Sequence, residues 1–101
     1  MDFNIQNAYS KIRAYVGFCI KGNMLVYGID NIFVSRKIKL IILSKELSKK
    51  SKERIKKQTT IPIIEDYDFS TLTVNTNCKA FGVIDKGLSN AINETYKMIK
   101  E

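Results

Sequence analysis

Apolar residues recur at Ala8, Ile12, Tyr15, Val16 and Cys19, with Phe18 beside them. That i, i+4, i+7, i+8 spacing is the stripe of an amphipathic helix, and it predicts one over residues 8–20. Gly22 and Asn23 follow, two residue types that take the left-handed conformation just past a helix end. A short strand is expected over residues 24–27. Gly28-Ile29-Asp30-Asn31 then reads as a turn opening a short helix at residues 32–36. At residues 39–43 the period changes: Lys39 leads an unbroken apolar run, Leu40-Ile41-Ile42-Leu43, as in a strand covered on both faces. Residues 44–58 predict a helix whose apolar positions are only Leu47 and Ile55, with Ser51 between them, so its buried stripe is thin. Ile61-Pro62-Ile63-Ile64 reads as another strand. Pro62 cannot donate a ladder hydrogen bond, so this strand lies at a sheet edge or Pro62 lies at its start. Residues 65–68 read as an acidic turn, and residues 69–77 as a weak segment with about one turn of helix and with Leu72 and Val74 inward. Ala80-Phe81-Gly82-Val83-Ile84 predicts a further strand. Asp85-Lys86-Gly87 leads into a last helix with Leu88, Ala91, Ile92, Thr95 or Tyr96, and Ile99 on one face.

Strands alternating with helices predict an α/β sheet with helices on both sides. A chain of 101 residues that is 45% hydrophobic is expected to form one domain, residues 1–101, around a modest core. No apolar stretch reaches the twenty residues of a transmembrane helix, so no membrane partner is expected. The opening Met1-Asp2-Phe3-Asn4 lacks the basic and apolar regions of a secretory signal, which places the chain in the cytoplasm as an expectation. Cys19 and Cys78 have no histidine to join them, short of the four ligands a structural zinc takes. They are expected as free, mostly buried thiols in a reducing compartment. The lack of histidine also removes the commonest general base and the usual partner of a Ser or Cys nucleophile. A non-catalytic protein without cofactor is the expectation.

Charge changes the picture. Ten Lys/Arg fall between Arg36 and Lys57 against only Glu46 and Glu53, a net +8. The remaining residues carry seven bases and eight acids, −1, and the two parts make up the chain's +7. A single-sign block beside a near-neutral remainder creates a local field that attracts a polyanion. Neutral enrichment in lysine would load every exposed helix, whereas the first and last helices are expected close to balance.

Other chemistry is thin. Lys21-Gly22-Asn23 and Lys86-Gly87-Leu88-Ser89 both lack the full phosphate-loop pattern. The carboxylates of residues 65–68 read as solvated charge, and Cys78 beside Lys79 as a structural thiol preceding an apolar strand. The tyrosines are scattered rather than interleaved with the basic block, so phosphate contact from the Lys-rich helix is the expected mode, ahead of a base-stacking platform.

Two blocks also carry a family resemblance. Val16-Gly17-Phe18-Cys19-Ile20-Lys21-Gly22-Asn23-Met24-Leu25-Val26-Tyr27-Gly28 looks like the LGLAxRAGKLxxG segment of the YlxQ-like bacterial branch of the kink-turn RNA-binding superfamily of large-subunit ribosomal proteins. Ala80-Phe81-Gly82-Val83-Ile84-Asp85-Lys86-Gly87-Leu88 is similar to that branch's apolar strand followed by T-D-x-G-F. Between them the Lys39-led strand, the Ser/Lys helix and the Ile-Pro strand follow in the same order. The resemblance implies a three-layer α/β/α sandwich around a mixed four-stranded sheet. It also implies structured RNA as partner, with ribosomal RNA among the candidates. It implies RNA docking at a G-x-N-E turn followed by a lysine. Gly28 matches that pattern, while Asp30, Asn31 and Val34 stand where Asn, Glu and Lys are expected. Asp30 can instead cap the short helix at Ile32, and Gly28 can be kept for a positive-φ turn alone. The expected RNA contacts are Lys21, Gly28, Asp30, Asn31, Arg36, Lys37 and Lys39 near the turn, with Lys45, Lys49, Lys52 and Lys56 from the flanking helix. A reading of a different class makes the domain a protein-interaction module whose basic helix meets an acidic or ribosomal protein.

Overall fold

The structure is a computed structural model that describes residues 5–67 and 79–100. The weak segment expected at residues 69–77 and Cys78 lie outside the described residues. Eight elements follow in the order α1 (Ile5–Lys21), β1 (Leu25–Tyr27), α2 (Ile29–Val34), β2 (Leu40–Ser44), α3 (Lys49–Gln58), β3 (Ile63–Tyr67), β4 (Ala80–Val83) and α4 (Lys86–Lys100). The strands form one mixed sheet in the order β1-β4-β2-β3. The β4 strand is antiparallel to both β1 and β2, and β2 runs parallel to β3.

Alternation along the two central strands divides the core. Leu40 and Ile42 of β2, with Phe81 and Val83 of β4, face Ile12, Val16 and Cys19 of α1 and Ile92 of α4. Ile41 and Leu43 of β2, with Ala80 of β4, face Ile32 of α2 and Ile55 of α3. Helices therefore cover both faces, giving the expected three-layer α/β/α arrangement around a mixed four-stranded sheet. All five β2 residues are buried, which explains the unbroken apolar run.

Most boundaries move by a residue or two. The α1 helix ends in a Schellman arrangement: the Met24 N–H donates to the Cys19 carbonyl at 2.8 Å and the Asn23 N–H to the Ile20 carbonyl at 3.2 Å. Asn23, at φ 56°, is the left-handed residue of that cap. The basic helix begins later than residue 44. Ser44 completes β2, a turn follows, and the Ser48 hydroxyl caps α3 by accepting the Ser51 N–H at 3.2 Å. The short helix begins earlier, at Ile29, because Gly28 itself supplies the cap.

The acidic turn expected at residues 65–68 is a correction over residues 65–67, and Asp68 lies outside the described residues. Glu65, Asp66 and Tyr67 continue β3. Ile42 pairs with Ile64 and Ser44 with Tyr67, so Leu43 alone opposes both Glu65 and Asp66. This bulge breaks the period of two, letting Ile64 and Tyr67 share one face although three positions apart. Pro62 precedes an edge strand, which satisfies both conditions its missing N–H imposes. On α4, Asp85 accepts the Leu88 N–H at 2.8 Å and caps the helix.

Gly82 lets the second face close tightly. A Cβ built there would lie 2.6 Å from Ile38 Cδ1 and 3.0 Å from both Cγ atoms of Ile38. Ile38 is buried and β-branched, so it cannot swing clear. Gly82→Ala is expected to lower the free energy of unfolding by about 1–3 kcal/mol through overpacking. A urea midpoint no lower than wild type would show that Ile38 repacks freely.

Candidate nucleic-acid interface

The register assigns each expected contact to an end of the sheet. At one end the Gly28 N–H donates to the Ala80 carbonyl at 3.1 Å, the Ser44 N–H to the Lys79 carbonyl at 2.8 Å, and the Lys45 N–H to the Tyr67 carbonyl at 2.9 Å. At the other the Lys39 N–H donates to the Val83 carbonyl at 2.8 Å, the Ile84 N–H to the Met24 carbonyl at 3.1 Å, and the Ile41 N–H to the Pro62 carbonyl at 3.0 Å. Gly28, Asp30, Asn31, Lys45 and Lys49 therefore belong to the first end. Lys21, Arg36, Lys37 and Lys39 belong to the second, about 15 Å away along a five-residue strand, while Lys56 pairs with Glu65 opposite Leu43, nearer the first end. Sequence proximity groups Lys21 with Gly28 and places Arg36 to Lys39 near the turn. In the fold, β1 separates Lys21 from the turn, and α2 carries the chain from the turn across to Arg36. Lys52 sits midway along α3, which runs from the first end to the second.

Gly28 has φ 90° and ψ 145°, a conformation that a side chain disfavours, so the positive-φ requirement is real. Its carbonyl accepts the Ile32 N–H at 3.0 Å. Asp30 is therefore not the cap of α2. It lies exposed in the first turn, where a carboxylate is favoured by the helix dipole. Asn31 is turned toward its own strand: its Nδ2 donates to the Tyr27 carbonyl at 2.8 Å. A glutamate at that position could not make this bond, having no donor when ionised.

On α3, Ile55 is the buried anchor. At 100° per residue, Lys50, Glu53 and Lys57 stand roughly opposite it, Arg54 on the flank toward α2, and Lys49, Lys52 and Lys56 on the flank toward β3. The contacts agree with that wheel. The Arg54 guanidinium carbon sits 5.5 Å from the centroid of the Phe33 ring of α2. Lys56 Nζ lies 2.8 Å from Glu65 Oε1 of β3, with both side chains partly exposed, so the pair contributes about 0–1 kcal/mol. Lys52 is half-buried, while Lys49, Lys50 and Lys57 are exposed. Lys49, Lys52 and Lys56, at i, i+3, i+7 spacing, occupy the flank that touches the sheet edge. Lys50 and Lys57, which the sequence did not single out, are exposed and stand farthest in angle from Ile55.

Six Lys/Arg against Glu53 in ten residues make α3 the most basic element. The expected balance of the first helix does not hold, since α1 carries Lys11, Arg13 and Lys21 with no acid. Its charge is nonetheless spread over 17 residues. Cys19 is buried and its thiol is pushed up to about 11, first by burial and then by the Asp85 charge, so it stays protonated and unreactive near neutral pH. No described helix is long and apolar enough to cross a membrane.

No family model and no curated protein matches the chain. A solved structure of a protein with unknown function from Bacillus halodurans is similar in fold, with a TM-score of 0.79 over 86% of this chain and 97% of that one, at 18% identity. That likeness concerns the fold alone.

Proposed function

We propose that the chain is a small, non-catalytic, cytoplasmic RNA-binding protein, related to the kink-turn ribosomal-protein superfamily and acting on structured RNA such as ribosomal RNA. The observation that carries this reading is the exposed surface of α3, where Lys50 and Lys57 stand opposite its single buried anchor and Lys49 is exposed on the flank toward β3. Lysines on a rigid helix neutralise phosphates and release counterions without reading bases. Contact through α3 is the primary mode, with Lys45 and the Gly28 turn adding to it at the first end of the sheet. A second reading, in which α3 meets an acidic protein, is favoured by one observation: at the turn, Asn31 is bonded to Tyr27 and Asp30 presents a negative charge.

Asp30→Asn distinguishes the roles of turn and helix. It removes one negative charge and supplies both a donor and an acceptor. If the turn docks RNA, binding to a kink-turn RNA is expected to tighten by about 1–3 kcal/mol while binding to a straight duplex changes little. Identical titrations for wild type and Asp30→Asn on both RNAs would retire the turn and leave α3 as the contact.

A further inference from the structure

We propose that the outer face of the Arg54 guanidinium is a stacking site for one unpaired RNA base. The inference rests on the RNA reading above and adds what that reading lacks, a contact with a base. Arg54 is exposed on α3, and its guanidinium sits over the half-buried Phe33 ring of α2, 5.5 Å from the centroid. The guanidinium is thus anchored beside an aromatic ring on a residue that remains exposed to solvent. A planar guanidinium is a stacking surface for bases as well as for aromatic side chains, and RNA-binding proteins use it for bases splayed out of a helix. The Phe33 support restrains the Arg54 side chain before any ligand arrives, which reduces the ordering cost of binding.

The surroundings fit a nucleotide rather than an isolated aromatic ligand. Lys50 precedes Arg54 by four residues and Lys57 follows it by three, so both are its neighbours on the helix surface. Both are exposed. They flank the guanidinium along the axis, about 10 Å apart at the helical rise, in position to hold the phosphates on either side of a stacked base. Val34, next to Phe33 in the sequence, is the most exposed large apolar side chain described, at 78%. It adds apolar surface at the same end of α2. The competing role for Arg54 is a clasp that only ties α3 to α2.

Three probes separate these roles: a short RNA duplex with one bulged purine, the same duplex with an abasic nucleotide at the bulge, and the fully paired duplex. Wild type is expected to bind the bulged purine roughly fivefold or more tighter than the abasic duplex, the lower end of what base stacking contributes. Arg54→Lys keeps the charge but loses the plane, and it is expected to bring the two affinities together while leaving the salt dependence unchanged. Phe33→Leu removes the support and is expected to narrow the preference in part, with a thermal melt confirming that each variant is folded. Equal wild-type affinity for bulged and abasic duplexes would overturn the stacking site and leave phosphate contact intact. A lowered melting temperature in Arg54→Lys with an undiminished purine preference would also overturn it, in favour of the clasp. No binding to any of the three would end the RNA reading and the stacking site together.

Discussion

Phe81→Ala is expected to lower the free energy of unfolding by about 3–5 kcal/mol. Phe81 is the largest fully buried side chain described, and it stands on β4, paired on both sides by β1 and β2. It packs in the cluster that joins the sheet to α1 and α4, so truncation leaves a cavity bounded by three elements. Two of those elements are long helices held against each other and against the sheet, so the walls cannot collapse inward cheaply. Domains of this kind are typically stable by about 5–15 kcal/mol, and such a loss leaves little reserve. Ile41→Ala, on the opposite face beside Ile55 and Leu47, is expected to cost about 2–5 kcal/mol for the same reason. Urea titrations followed by far-ultraviolet circular dichroism read both losses. Midpoints close to wild type would mean that the two faces are not packed as described.

Replacing Lys49, Lys50 and Lys57 together with glutamine is expected to have the largest effect on binding. All three are exposed on α3, unlike the half-buried Lys52 and the Glu65-paired Lys56. Each duplex phosphate that a lysine no longer neutralises should reduce the slope of log K against log salt by roughly 0.9. The weakening should be similar for every sequence, because lysine contacts to phosphate carry no base information. Stability should change by about 0.5 kcal/mol or less, as for exposed substitutions generally. Lys50→Gln/Lys57→Gln set against Lys52→Gln/Lys56→Gln is the useful contrast. The two pairs remove the same charge, one from the side opposite Ile55 and one from the flank that faces β3, so equal effects would show that net charge matters and the outward side does not.

The sheet was legible because its two central strands carry strong signals. Leu40-Ile41-Ile42-Leu43 and Ala80-Phe81-Gly82-Val83 are apolar on both faces, and helices cover both faces. The α1 stripe and its Gly22-Asn23 end were equally plain. What failed did so for identifiable reasons. The β3 bulge put Glu65 and Asp66 opposite one residue, and charged residues in a bulged edge strand resemble a turn. The basic helix, expected from residue 44, starts at Lys49 with Ser48 as its cap, because Ser44 completes β2. The candidate site fared worse than the fold because neighbouring positions in the chain are not neighbouring positions on a sheet. A three-residue β1 and a six-residue α2 were enough to send Lys21 and Arg36 away from Gly28. The Arg54–Phe33 contact joins residues 21 positions apart, and no periodicity within either helix could have revealed it.

The most direct test of RNA binding is the salt dependence of the wild-type chain's affinity for a structured RNA, measured beside an acidic polypeptide of matched length. The expected result is a steep linear fall of log K with log salt on RNA, steeper than on the polypeptide and reduced in the Lys49/Lys50/Lys57 variant. Saturable binding to the polypeptide together with a flat, weak response on RNA would contradict the account and assign α3 to an acidic protein partner.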